Sequence, residues 1–319
     1  MAGFREALIP SPPRLPFGLR EPLGGLRALD AVIGGYITLA LFPLALGAAR
    51  GVPGCGQQLL LDLALLAGLA LVCLASRHSA NRLLLLLRLA YGPLVFALLD
   101  RQTATIWPVL YEQPFDAWLV RGEEVLWGGV PALAFAQHAP WPWLSELFCT
   151  AYYAYYFFTP AMLFAVLLTR GYLPAERVMF ATALCFCTCY ALFWLFPVLG
   201  PHYWFPPHSG PQPYQGYLFS HLLYVITSGG EVRAGAFPSS HIAVAVVLTL
   251  QARRLAPRLF PFMVVVTALM IPAVVYLRAH YLIDVPAGIL VGLLITHIVD
   301  RIPLAGATHR PLATDGPAV

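Results

Sequence analysis

The chain has 319 residues, of which 59% are hydrophobic and only 11% charged, with a mean hydropathy of +0.73. A soluble domain of this length cannot bury so much apolar surface, so a soluble globular fold is excluded and an all-α, polytopic transmembrane helical bundle is expected. The formal net charge of +4 rests on 19 basic residues that are all Arg. They are spread along the chain rather than gathered on one face, which argues against nucleic acid as a partner.

The first 25 residues are rich in Arg and Pro and have no apolar core, so they read as a tail and not as a cleaved signal. A membrane helix needs about 20 apolar residues. On that measure eight spans are expected, over 28–49, 57–75, 82–99, 144–169, 175–198, 238–252, 258–277 and 283–300. Arg88 interrupts the third, and the sixth is short. Between the third and fourth spans, residues 100–142 place Asp100, Arg101, Glu112, Asp116, Arg121, Glu123 and Glu124 among Trp, Tyr and Pro. This stretch is expected to lie on the membrane surface with its aromatic residues at headgroup depth and its acids forming a solvated face. Residues 200–236, rich in Pro and aromatic residues, are expected to be a lid or binding loop. The chain thus divides into a tail and leading helices (1–99), a catalytic membrane domain (100–304) and a short cytoplasmic tail (305–319).

With both termini in the cytoplasm, thirteen arginines fall inside and five outside: Arg50, Arg101, Arg121, Arg233 and Arg278. That distribution follows the positive-inside rule, and the all-Arg usage rich in Ala, Leu and Pro points to a bacterial inner-membrane protein. The six cysteines lie mostly in apolar segments and are expected to pack. The thiols of Cys185, Cys187 and Cys189 advance about 200° per two residues and do not converge on a metal. Gly288 and Gly292 form a GxxxG pattern that predicts close helix packing.

Two polar clusters border these helices. In Phe237-Pro-Ser-Ser-His241, the sixth helix is expected to begin at or just after Pro238, with Ser239 and Ser240 capping its free amides. An anion is favoured at such an end, and His241 is not needed for capping. In Arg278-Ala-His-Tyr-Leu-Ile-Asp284, a helical junction would place Asp284 one turn from His280, where it can orient the imidazole. The spans alternate in direction, so His202, Arg233, Ser239, Ser240, His241, Arg278, His280 and Asp284 share the outer face. Ionisable groups concentrated at one depth of a membrane protein point to a site. Two histidines, a carboxylate, arginines and a helix N-terminus suit phosphate. The histidines and Asp284 also suit Zn²⁺, although nearby arginines oppose a cation, so no metal or other cofactor is expected.

These two motifs resemble the second and third signatures of the type 2 phosphatidic acid phosphatase superfamily, in a spelling similar to its inositol phosphorylceramide synthase branch. The resemblance implies a six-helix phosphatase-type core and a lipid-directed phosphotransferase or phosphatase that needs no metal. It implies that His280 attacks phosphorus, that Asp284 orients it, and that His241 protonates the leaving group and then activates the acceptor. Ser239 and Ser240 would hold the phosphoryl oxygens. The departures lie in the cations: the chain has no Lys, and Ala273 and Val274 stand where the family has Ser-Arg. Arg278, Arg233 and His202 are the candidate replacements. Membrane lipids are the expected substrates, with water as the alternative acceptor. A channel or transporter would spread its polar residues through several helices at mid-depth.

Overall fold

A computed structural model describes residues 26–76, 82–205, 215–228 and 234–302. Arg233 and both tails lie outside the described residues. Thirteen helices and no strand are present among the described residues, so the chain is an all-α membrane bundle.

Helices α1 (Ala28–Ala49), α2 (Cys55–Ser76) and α3 (Arg82–Leu110) form the leading block. α3 does not end at residue 99 but continues for eleven more residues, and the polar residues that resemble a boundary find partners inside the bundle. Buried Gln102 donates to buried Asp62 of α2, and Thr103 Oγ1 donates to the Asp100 carbonyl at 2.7 Å. Arg88 is likewise paired. It is 1% exposed, forms a salt bridge with Asp30, and donates to Ser76 Oγ at 2.7 Å, while the Tyr91 hydroxyl donates to Asp30 Oδ1 at 2.8 Å. A buried charge paired with a counter-charge does not terminate a span.

Two short helices follow, α4 (Asp116–Trp127) and α5 (Pro131–His138). The fourth expected span is a bent pair, α6 (Pro142–Tyr155) and α7 (Phe158–Arg170), with an angle of 45° between them. Pro160 accounts for the break, since it has no N–H to give to the Tyr156 carbonyl and its ring crowds that carbonyl. α8 (Tyr172–Leu195) is central and buried on most sides, with Cys185, Cys187 and Cys189 packed as free thiols. After the single turn α9 (Pro201–Trp204) and α10 (Leu218–Ser228) come α11 (Ser240–Leu255), α12 (Phe260–Tyr276) and α13 (Asp284–Arg301). Among the described residues four helices are long and apolar enough to cross a membrane, or five when the bent pair is counted as one span. α11 and α12 are shorter, at 16 and 17 residues.

The register of α11 against α13 is set by the two glycines. A Cβ on Gly288 would lie 2.5 Å from the Ser239 carbonyl oxygen, and one on Gly292 would lie 2.6 Å from that of Ala243. Close backbone approach of this kind requires Gly. At the end of the bundle away from Ser239, Arg27 pairs with Glu176, and Arg177 and Arg254 meet Asp300 at 3.6 and 2.6 Å. Those charges come from the termini of α1, α8, α11 and α13, which aligns the helix ends at one level.

Candidate active site

Three irregular segments meet at the opposite end of the bundle. Gly235 N and Ala236 N both donate to the Val198 carbonyl at 3.0 Å, and His202 N donates to the Arg278 carbonyl at 3.0 Å. Gly200 packs closely against the backbone of Ala279. Its φ is +89°, and a Cβ there would lie 3.0 Å from the Ala279 carbonyl oxygen, so the turn before His202 needs a residue without a side chain.

Helix α11 begins at Ser240 rather than at Pro238, which stands outside it behind a cis Phe237–Pro238 peptide bond. Ser239 is the N-cap, and its Oγ accepts from Ile242 N at 3.4 Å. Ser239 is fully buried, while Ser240 reaches the wall of a cavity of about 540 Å³. His241, the second residue of α11, is held on both sides. Its Nε2 lies 2.9 Å from the Tyr152 hydroxyl, and its ring sits 4.9 and 5.1 Å from the rings of Tyr152 and Tyr155. The two tyrosines are three apart on α6 and so face the same way.

His280 and Asp284 differ from expectation in one respect: the chain between them is not helical, and α13 starts at Asp284 itself. His280 Nδ1 therefore meets the Ala236 carbonyl at 2.7 Å, with Asp284 Oδ2 farther off at 3.5 Å. The carboxylate's short bond is from Tyr281 N, at 2.7 Å. Since a carbonyl only accepts, Nδ1 carries the proton and Nε2 presents its lone pair. That lone pair faces His241 Nδ1 across 3.4 Å. The carbonyl fixes the tautomer, and the carboxylate adds negative charge beside the ring.

His202 lines the cavity from the facing segment together with Tyr203. Burial and the neighbouring Arg278 guanidinium hold its imidazole below its ordinary value, so it is neutral at pH 7. Arg278 is 5% exposed and has φ +60°, the one non-glycine residue with positive φ among those described. Burial lowers its pKa, and its Nε and Nη2 find no partner among the described residues. A cation held in strained backbone with unmet donors is a candidate anion ligand. Arg278, Ser239 and Asp284 stand outside the cavity wall, which His202, Ser240, His241 and His280 share. From α3, Asp100 and Arg101 line the same cavity, among apolar and tyrosine side chains.

The acids of the surface segment depart most from expectation. Asp116 and Glu123 are fully buried rather than solvated. Asp116 accepts from Leu199 N at 2.8 Å, Gly200 N at 2.9 Å and the Tyr281 hydroxyl at 3.0 Å. Glu123 accepts from Ile283 N at 3.2 Å. Burial raises both carboxyls, Glu123 to about 7. The two acids are seven residues apart, so they occupy one face of α4. Trp118 and Val125 stand exposed on another. That periodicity is readable in sequence, whereas the direction of the acidic face is not. Tyr152 carried no comparable signal.

An all-α membrane bundle whose irregular segments converge on paired histidines and a buried arginine defines the class. The chain belongs to the PAP2 superfamily, whose family model matches residues 117–298, more than half of its length. Membership makes it a lipid-directed enzyme of the phosphatase or phosphotransferase type. No curated protein and no solved structure matches the chain.

Proposed function

We propose that the protein is an integral membrane phosphotransferase that moves a phosphorylated headgroup, of the inositol-phosphate type, between lipids through a phosphohistidine. The observation that carries this reading is the 3.4 Å approach of His280 Nε2 to His241 Nδ1 at the cavity wall, each ring anchored through its other nitrogen.

In the first step His280 Nε2 attacks phosphorus, and the N–P bond forms as the bond to the diacylglycerol oxygen breaks. His241, which enters the step as an imidazolium, gives its Nδ1 proton to that departing oxygen and is left neutral. The positive charge on the His280 ring is stabilised by Asp284 and the Ala236 carbonyl. In the second step His241 takes the proton of a lipid hydroxyl, which attacks phosphorus and releases His280. Arg278 balances the charge on the phosphoryl oxygens, and His202, Ser240 and the α11 amides donate hydrogen bonds to them. The entering phosphoryl group separates the two rings, replacing their mutual contact with contacts to substrate. No metal is required in either step.

A cavity of 540 Å³ is several times the volume of a phosphate group and favours a donor that carries a bulky headgroup. With water as acceptor the same site gives a lipid phosphatase, the second reading. The test is to incubate the purified protein with labelled phosphatidylinositol and a ceramide or diacylglycerol acceptor. A labelled product lipid, unaffected by EDTA and lost in His280→Ala, supports transfer. Free phosphate released from phosphatidic acid, without product lipid, selects the phosphatase. Loss of activity in EDTA, or full turnover in His280→Ala, overturns the metal-free phosphohistidine route.

A further inference from the structure

We propose that Asp116 and Glu123 of α4 are positioning residues that hold the two loop segments of the site in register, His202 on one side and His280 with Asp284 on the other. Neither acid touches a reacting nitrogen. Their partners do flank the site: Leu199 and Gly200 stand immediately before the Pro201-His202 turn, Tyr281 follows His280, and Ile283 precedes Asp284.

Asp116 is the centre of the arrangement. Its Oδ2 takes the Leu199 amide, and its Oδ1 takes both the Gly200 amide and the Tyr281 hydroxyl. One carboxylate thus bonds segments 83 and 165 residues away along the chain. The amides of Leu199 and Gly200 lie outside any helix, so they have no ladder partner, and a buried amide must find an acceptor. Both oxygens of the side chain must accept at once, which a carboxylate does and a carboxamide does not. In Asp116→Asn one of the two positions becomes an NH₂ that faces a donor. Glu123 accepts from Ile283 N through Oε1, and Glu123→Gln keeps an acceptor at that position. The structure therefore separates the two conservative variants, which a general stabilising role for α4 would not.

This goes beyond the functional reading, since it concerns what sets the site geometry. The experiment uses full-length protein in detergent, with turnover measured alongside ¹⁵N spectra of labelled histidine. The His280 signals are assigned by their absence in His280→Ala. In Asp116→Asn the His280 signals are expected to shift and kcat to fall by roughly 30- to 100-fold with KM within about threefold, since a displacement of about 1 Å costs that much. Glu123→Gln is expected to lose less than Asp116→Asn, whereas Glu123→Ala, which removes the acceptor for Ile283 N, is expected to shift the His280 signals and lower kcat. Unshifted His280 signals with wild-type kcat in Asp116→Asn overturn the proposal, as does an equal loss in Glu123→Gln. If Asp116→Asn does not fold, Tyr281→Phe removes one of the three donors and is expected to lower kcat by about three- to tenfold. An unchanged kcat there is equally decisive. Should the wild type turn over no lipid phosphate while the His280 signals still shift in Asp116→Asn, the positioning role stands and the functional reading fails.

Discussion

Gly288→Ala tests the link between helix packing and the site. Inside a helix, Ala is favoured over Gly by about 1 kcal/mol, so propensity alone predicts stabilisation. At Gly288 the added Cβ would sit 2.5 Å from the carbonyl oxygen of Ser239, the cap of the helix that carries His241. That is about 0.9 Å inside ordinary contact, and the clash is with backbone, which cannot rotate away. Overpacking of this degree costs about 1–3 kcal/mol, so the gain is cancelled or reversed and α11 moves away from α13. Because His280 and Asp284 stand at the α13 side of the contact, a shift of up to about 1 Å between the two helices lowers turnover by roughly 100-fold. The control is Gly68→Ala in α2, where a new Cβ meets nothing within 4 Å. The assay is thermal unfolding in detergent together with lipid turnover. Gly288→Ala is expected to lower the unfolding midpoint and to lose most activity, with Gly68→Ala changing neither for the worse. A Gly288→Ala protein as stable and active as wild type would refute the packing argument.

Three further outcomes are expected. Tyr152→Phe removes the hydroxyl that contacts His241 Nε2; one lost hydrogen bond of about 1–2 kcal/mol lowers kcat by roughly 5- to 30-fold, measured as initial rates at saturating lipid. Ser239→Ala and Ser240→Ala separate capping from substrate contact: the first lowers the unfolding midpoint through loss of a cap worth up to about 1 kcal/mol, while the second leaves the midpoint alone and raises KM. His202 is held below the usual imidazole range and is uncharged at pH 7.5. His202→Arg therefore lowers KM for the anionic lipid at that pH, and its advantage shrinks only below the ordinary imidazole range, where the native imidazole gains its proton, as pH profiles of KM would show.

The membrane bundle and the pairing of the two histidine motifs were legible because each rests on a local signal: apolar runs of spanning length, and alternating direction that returns motif ends to one face. What the sequence withheld depended on partners distant along the chain. Arg88 and Gln102 resemble interruptions until Asp30 and Asp62 are placed beside them. Asp116 and Glu123 have the spacing of a single face, but sequence does not say whether that face meets water or the buried amides of a loop 80 to 160 residues later. The His280–Asp284 spacing predicts a helical pair, whereas a backbone carbonyl, invisible to any motif, takes the Nδ1 proton. The bend of 45° within 144–169, expected as one span, was missed although Pro160 stands at the start of α7.

The central claim is that His280 carries the phosphoryl group, and a trapping experiment addresses it most directly. Donor lipid labelled with ³²P at the phosphodiester is mixed with the enzyme, quenched in alkali to preserve phosphoramidates, and the labelled peptide is sequenced. Label on His280, absent in His280→Ala and discharged on adding the acceptor lipid, is the predicted result. Turnover without any labelled histidine, or label on another residue that survives in His280→Ala, would contradict it.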